Sequence, residues 1–228
     1  MSKEWRQFTF NIMKSRFTLS LIVSGIALSG LFATAAQDSA VSTFSAEKDY
    51  ELARKYVNNI DECVKYLRKA AEQGYAPAQY DLGVCYENGN GVIKDATEAV
   101  KWYRLAAAQG YAPAQSNLGV CCEKGIGVIK DAAEAANWYR LAAAQGYAPA
   151  QYNLGGCYAE GNGVIKDAAE AVKWCQLAAA QGHATAQFNL GVCYAEGIGV
   201  IKDAAEAVKW YQLAAGQGLA QAQFNLGV

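Results

Sequence analysis

Histidine is all but missing from the chain: His183 is the single one in 228 residues. That scarcity removes most histidine-based acid–base chemistry and most histidine-containing metal sites before any motif is sought. Proline is held to 3 residues and charged residues to 18%, with 20 Lys+Arg against 21 Asp+Glu and a net charge of −1. No segment carries a run of like charge, so the electrostatic footprint of a DNA or RNA binder is missing and no nucleic-acid partner is expected. A hydrophobic content of 53% rules out a disordered chain. The 22 glycines, spread among alanine-rich segments, point to close helix packing and not to a collagen or linker composition.

Long apolar runs are also absent, with one exception. Residues 17–36, FTLSLIVSGIALSGLFATAA, follow Lys14 and Arg16 and end in Ala33-Thr34-Ala35, which fits a small-residue cleavage site. The expectation is a secretory signal peptide over residues 1–36, with Met13 a more compact start than Met1, followed by a linker over 37–45. The rival, an uncleaved anchor, is long enough to span a bilayer but contains three serines, two glycines and the cleavage site. Loss of residues 1–36 takes away four basic groups and one acidic group and leaves a net charge of −4. The exported protein is expected in the bacterial periplasm or outside the cell, with no stable membrane span after cleavage.

Self-comparison reveals a repeat. Gly74, Gly110, Gly146, Gly182 and Gly218 lie 36 residues apart, as do Trp102, Trp138, Trp174 and Trp210, and Asp95, Asp131, Asp167 and Asp203. A fixed period of this size predicts an all-α solenoid of helix hairpins. Four full units run over 75–110, 111–146, 147–182 and 183–218. In the first, Pro77 suits the opening turn of a helix carrying Leu82 and Tyr86, and the Gly89-Asn90-Gly91 segment breaks it. A second helix begins at Asp95, with Glu98 three places on as in a capping box, and Ala99, Trp102, Tyr103 and Ala106 form its apolar stripe. Gly110 closes it in a left-handed conformation. Trp102, Leu105 and the double-alanine turns are expected to build much of the core.

The elements A-x-x-x-L-G-x-x-Y-x-x-G-x-G-V, the following Asp, and A-x-x-W-Y-x-x-A-A-x-Q-G resemble the Sel-1-like repeat family, relatives of the tetratricopeptide proteins, over residues 75–228. Residues 46–74 look like a degenerate first unit that lacks the glycine loop, its charged first helix suiting an N-terminal cap. The chain stops at Val228 inside a fifth unit, 219–228, as a fragment or truncated gene would. The resemblance implies a right-handed α/α superhelix whose concave surface binds other proteins or peptides, an adaptor and not an enzyme, with no cofactor or metal.

Comparison of the units picks out four changing positions on one face of the first helix. The changing positions are Tyr80/Ser116/Tyr152/Phe188, Val84/Val120/Gly156/Val192, Glu87/Glu123/Ala159/Ala195 and Asn88/Lys124/Glu160/Glu196. They stand at i, i+4, i+7 and i+8, opposite Leu82 and Tyr86, and are expected to line the concave groove. The candidate partner-binding residues are therefore Tyr80, Val84, Glu87, Asn88, Ser116, Glu123, Lys124, Tyr152, Glu160, Phe188, Glu196 and Phe224. The aromatic row among them supplies the rigid anchors that interfaces favour. The competing account is that these rings cover neighbouring helices and that the differences are drift after duplication.

Other motifs carry less. Cys85, Cys121, Cys157 and Cys193 recur at one site in successive units, where stacked helices hold equivalent Cα atoms about 10 Å apart, beyond the roughly 7 Å limit for a disulfide. They read as buried small hydrophobes. Cys63, Cys122 and Cys175 replace Ala, Tyr and Tyr, which leaves bridges such as Cys63 to Cys85 or Cys175 to Cys193 open. The Gly89-x-Gly91 pairs follow helices and lack the Lys-Ser/Thr of a phosphate loop, so they read as turns. Ser45-Ala46-Glu47-Lys48 spells the S-x-x-K of penicillin-recognising enzymes, a chemistry linked to some exported members of the family. Without S-D-N or K-T-G it supports β-lactam-binding or cell-wall-directed activity only as an alternative. His183, at a hairpin turn, reads as a solvated loop residue.

Overall fold

The computed structural model describes residues 45–227. Among them are eleven helices and no strand: α1 (45–55), α2 (Ile60–Glu72), α3 (Ala76–Asn88), α4 (Ala96–Ala108), α5 (Ala112–Lys124), α6 (Ala132–Ala144), α7 (Ala148–Glu160), α8 (Ala168–Ala180), α9 (Ala184–Glu196), α10 (Ala204–Gly216) and α11 (Ala220–Leu226). From α2 onward each packs mainly on its immediate neighbours in the chain, which makes the molecule a consecutive array of helix hairpins. The signal-peptide reading of residues 1–36 and the linker 37–45 fall, but for the last residue, outside the described residues.

The sequence dictates where each helix begins and ends. In the odd-numbered helices α3, α5 and α7, proline sits in the first turn, where its missing N–H costs nothing. Gly89, Gly125, Gly161 and Gly197 close the first helices in the left-handed conformation, with φ between 73° and 81°. The even-numbered helices are capped by aspartate: Oδ1 of Asp95 accepts from the N–H groups of Thr97 (2.9 Å) and Glu98 (3.0 Å), and Asp131, Asp167 and Asp203 do the same. The reciprocal half of the capping box does not form. The Asp95 N–H already donates to the Tyr86 carbonyl at 3.0 Å, so Glu98 turns outward to Lys101 instead.

The core repeats with the units. Leu82, Leu118, Leu154 and Leu190 are fully buried, flanked by the alanine rows. Tyr103 and Tyr139 are equally buried, whereas Leu105, Leu141, Leu177 and Leu213 stand about half exposed. The expected core role of Leu105 is therefore wrong: Leu105 lies two residues from Tyr103, about 200° around the helix, and the Ala99–Tyr103–Ala106 stripe takes the inner face. Trp102 is half-buried, packed against the Leu82 cluster.

A second linkage was not foreseen. Gln79, Gln115, Gln151 and Gln187 are at most 5% exposed. Each donates to an alanine carbonyl of the preceding unit, as Gln115 does to Ala107 at 3.1 Å, and accepts from the glutamine that closes its own unit, as from Gln145 at 2.8 Å. The chain of bonds runs from Ala71 of one unit to Gln79 and Gln109 of the next, and is copied at the three joints that follow. It satisfies buried amides and fixes the register of one hairpin on the next. The second glycine of each loop makes room for the same stacking. A Cβ on Gly127, whose φ is +67°, would collide with the Ala96 carbonyl at the start of the preceding unit's α4.

Candidate functional site

The varied first-helix positions fall into two depths. Asn88, Lys124, Glu160 and Glu196 are exposed near the ends of α3, α5, α7 and α9. Tyr80, Tyr152 and Phe188 are half-buried, and each ring touches a neighbour: Tyr80 meets Tyr103 and Tyr111 with centroids 5.8 and 5.6 Å apart, and Phe188 meets Tyr211 at 5.7 Å. Tyr152 stacks on His183 at 4.8 Å. Val84, Glu87 and Glu123 are half-buried, Ser116 is buried, and Phe224 on α11 is 83% exposed. The aromatic row thus contributes to contacts between helices while keeping part of each ring open.

Glu87 and Glu123 have a specific partner. The buried Tyr103 hydroxyl donates to Glu87 at 2.5 Å and that of Tyr139 to Glu123 at 2.8 Å. Burial and the adjacent carboxylate push both phenols well above the ordinary tyrosine value, so they stay protonated donors. Each ring lies against the glycine of the Leu-Gly pair: a Cβ on Gly83 or Gly119 would stand 2.6 Å from the ring.

The third unit, 147–182, departs from this plan at three places. Cys175 stands where the others have tyrosine, Ala159 where the first two have glutamate, and Gly156 where the others have valine. No ring lies over Gly155, whose nearest neighbours are the Ala171 carbonyl and the Cys175 amide, and nothing approaches Gly156 within 4 Å. A cavity of about 430 Å³ opens there, between α7 and α9, lined among others by Tyr152, Gly156, Glu160, Cys175, Asn189 and Val192. Glu123 reaches it from α5, and Cys193 shares its wall with Cys175. The sequence displayed all three replacements but not that they converge, because 156, 159 and 175 meet only when α8 folds back on α7.

All seven cysteines are free thiols, and burial raises Cys85, Cys121 and Cys157 to about 11 and Cys175 to about 12, which makes them poor nucleophiles. His183 is no solvated loop residue. It is half-buried, caps α9 by accepting at Nδ1 from the Ala186 N–H at 3.2 Å, and burial lowers its basicity. It takes over the helix start where Thr185 has displaced the proline of the other units. Ser45 and Lys48 stand exposed on the first turn of α1. Sequence reasoning passed over a row of exposed isoleucines, Ile93, Ile129, Ile165 and Ile201, each 87–91% exposed on the loop before a capping aspartate. Their 36-residue spacing was the available signal. No helix among the described residues is long and apolar enough to cross a membrane.

Known structures share this architecture. A protective antigen of uropathogenic Escherichia coli displaying an SLR fold matches at 40% identity and a TM-score of 0.76, over 79% of this chain and 40% of its own. A Sel1 repeat protein from Oxalobacter formigenes matches at 38% and 0.75, over 79% and 74%. An immunity protein of Pseudomonas aeruginosa matches at 25% and 0.53, over 78% and 68%. The chain therefore spans well under half the length of the Escherichia coli protein. No curated protein matches it. The Sel1 repeat model matches residues 57–75, 76–111, 112–147, 148–183 and 184–219, five consecutive segments that cover most of the chain. With hairpins stacked in series, capping aspartates in phase and this run of matches, the chain belongs to the Sel1 repeat family.

Proposed function

We propose that the chain is an exported scaffold that binds a protein or peptide along the face of its first helices, in the groove marked by Tyr80, Val84, Asn88, Lys124, Tyr152, Glu160, Phe188 and Glu196. Sel1 repeat solenoids serve generally as protein-interaction scaffolds, and bacterial members are often exported. The observation that carries the reading is where the variation falls. The units hold their caps, alanine rows and glutamines nearly constant, and four of the positions at which their first helices differ share this one face, the same face on which the cavity opens. A repeated scaffold that recognises a non-repeated ligand needs such a face. The apolar stretch 17–36 supports export, and the immunity-protein and antigen neighbours are themselves bacterial proteins.

The test is affinity capture from a bacterial envelope extract, with the chain as bait beside a variant carrying Lys124→Glu, Glu160→Lys and Glu196→Lys. These three side chains are exposed, so the variant keeps its fold, as circular dichroism would verify. A specific protein held by the first and lost by the second supports the groove. Equal capture by both moves the binding face to the loop edge of Ile93, Ile129, Ile165 and Ile201, and capture of nothing by either counts against the scaffold reading in that extract.

A further inference from the structure

The cavity of the third unit has the shape of something the molecule already contains. In the other three full units, a tyrosine ring at the position of Cys175 lies over the Leu-Gly glycine: Tyr103 over Gly83, Tyr139 over Gly119 and Tyr211 over Gly191, each at a distance that would put a Cβ 2.6 Å from the ring. The third unit keeps that glycine as Gly155 and omits the ring. Gly156 and Ala159 then remove the valine and the glutamate that would close over the space. The result is a recess of about 430 Å³ open to the surface, within the range of small-ligand pockets. Its lining carries charge of one sign only: Glu123 and Glu160 contribute carboxylates, Tyr152, Asn153 and Asn189 are polar, and no lysine or arginine takes part.

We infer that this recess is a specificity pocket for the tyrosine side chain of a partner peptide, the ring taking the place of the missing internal tyrosine and its hydroxyl donating to a carboxylate of the wall. The pocket rests on the scaffold reading for its biological meaning but not for its chemistry. Shape selects a flat six-membered ring, because Gly155 leaves open the same face that Gly119 gives the Tyr139 ring one unit earlier. Charge selects a ring that ends in a donor and rejects one flanked by acidic residues, because two carboxylates line the recess with no cation to offset them. Phenol donors already meet glutamate in the two preceding units, at 2.5 and 2.8 Å. Cys175 takes no chemical part: its thiol donates to the Ala186 carbonyl at 3.2 Å.

The probe is p-cresol, the tyrosine side chain as a free molecule, titrated into the full chain while the amide signals of Gly155, Gly156 and Ala159 are followed by NMR. Saturable shifts confined to these and adjacent amides are expected, with a dissociation constant of about 1 mM, as suits so small a ligand. The variant Cys175→Tyr restores the residue of the other units and fills the recess from within, so it folds and should lose at least about tenfold in affinity. Gly156→Val, which narrows the mouth, weakens binding as well. The methyl ether 4-methylanisole keeps the ring but cannot donate, and should bind about tenfold more weakly. Absence of saturable shifts in the unaltered chain, or undiminished binding by Cys175→Tyr, overturns the pocket; equal affinity for the ether overturns the carboxylate contact. If p-cresol binds while envelope capture fails, the pocket stands and the scaffold reading falls. If a partner is captured but p-cresol does not bind, the reverse holds.

Discussion

The second and third units are nearly the same sequence folded the same way, yet one is packed solid at its joint and the other is hollow. In the second, Tyr139 fills the space between α5, α6 and the next hairpin and ties its hydroxyl to Glu123. In the third, Cys175, Ala159 and Gly156 leave that space to solvent. The helices, caps and glutamine bonds do not move in response: α7 and α8 have the same lengths and capping geometry as α5 and α6. A solenoid tolerates such a gap because each unit is held by its own caps and by bonds to its two neighbours, and not by one central core. One joint can therefore be hollow while the array stays folded.

Tyr139→Cys reproduces the third unit's replacement inside the second, deleting a fully buried ring, and is expected to lower stability by about 3 kcal/mol in urea denaturation. A loss under about 1 kcal/mol would mean the joint does not depend on the ring. Next in size, Gln115→Ala removes the bonds that the Ala107 carbonyl and the Gln145 amide make across the joint, at a cost of about 2 kcal/mol. Gln151→Ala, at the hollow joint, should cost a similar amount, since the glutamine bonds are the same in both units. A clear difference between the two would show that the cavity weakens the linkage around it. Asp131→Ala removes a cap with two acceptor contacts and should cost about 1 kcal/mol, matched by Asp167→Ala in the third unit.

The smallest effect expected is one of pH. His183 stacks on Tyr152 at the edge of the hollow joint, and its Nδ1 must be unprotonated to accept from Ala186. Burial holds its folded basicity below the ordinary value of 6.5, so the folded state binds the proton less readily than the unfolded one. Its contribution is complete above that value and is lost as pH falls through the lower, folded one. The melting temperature should therefore drop slightly more between about pH 7.5 and about pH 5 for the native chain than for His183→Tyr, which restores the residue of the first three units. Parallel pH profiles would remove the cap from the account.

How much of this was legible in the sequence follows from what repetition can encode. The hairpins, the capping aspartates, the left-handed glycines and the buried leucine row were all readable, because each rests on a residue type at a fixed offset whose backbone role is local. The choice of Tyr103 over Leu105 as the inner residue was harder: both are apolar, and only the docking of α4 against α3 decides between them. The glutamine ladder was invisible for the opposite reason, since a glutamine reads as surface unless its partner carbonyls in the preceding unit are known. The cavity lay between these cases. Cys175 and Gly156 stood out as singular residues, but a vacancy is a property of the three-dimensional joint and has no signature in any one helix.

The most direct measurement is the equilibrium stability of Cys175→Tyr beside the native chain. The third unit keeps the helices and the glycine of its neighbours with the ring left out, so the added tyrosine is expected to drop into a prepared space, over Gly155, and to raise the urea midpoint by an amount worth about 1–2 kcal/mol. A lowered midpoint would mean that the walls had closed on some other arrangement, and that the hollow joint is not the imprint of a missing tyrosine.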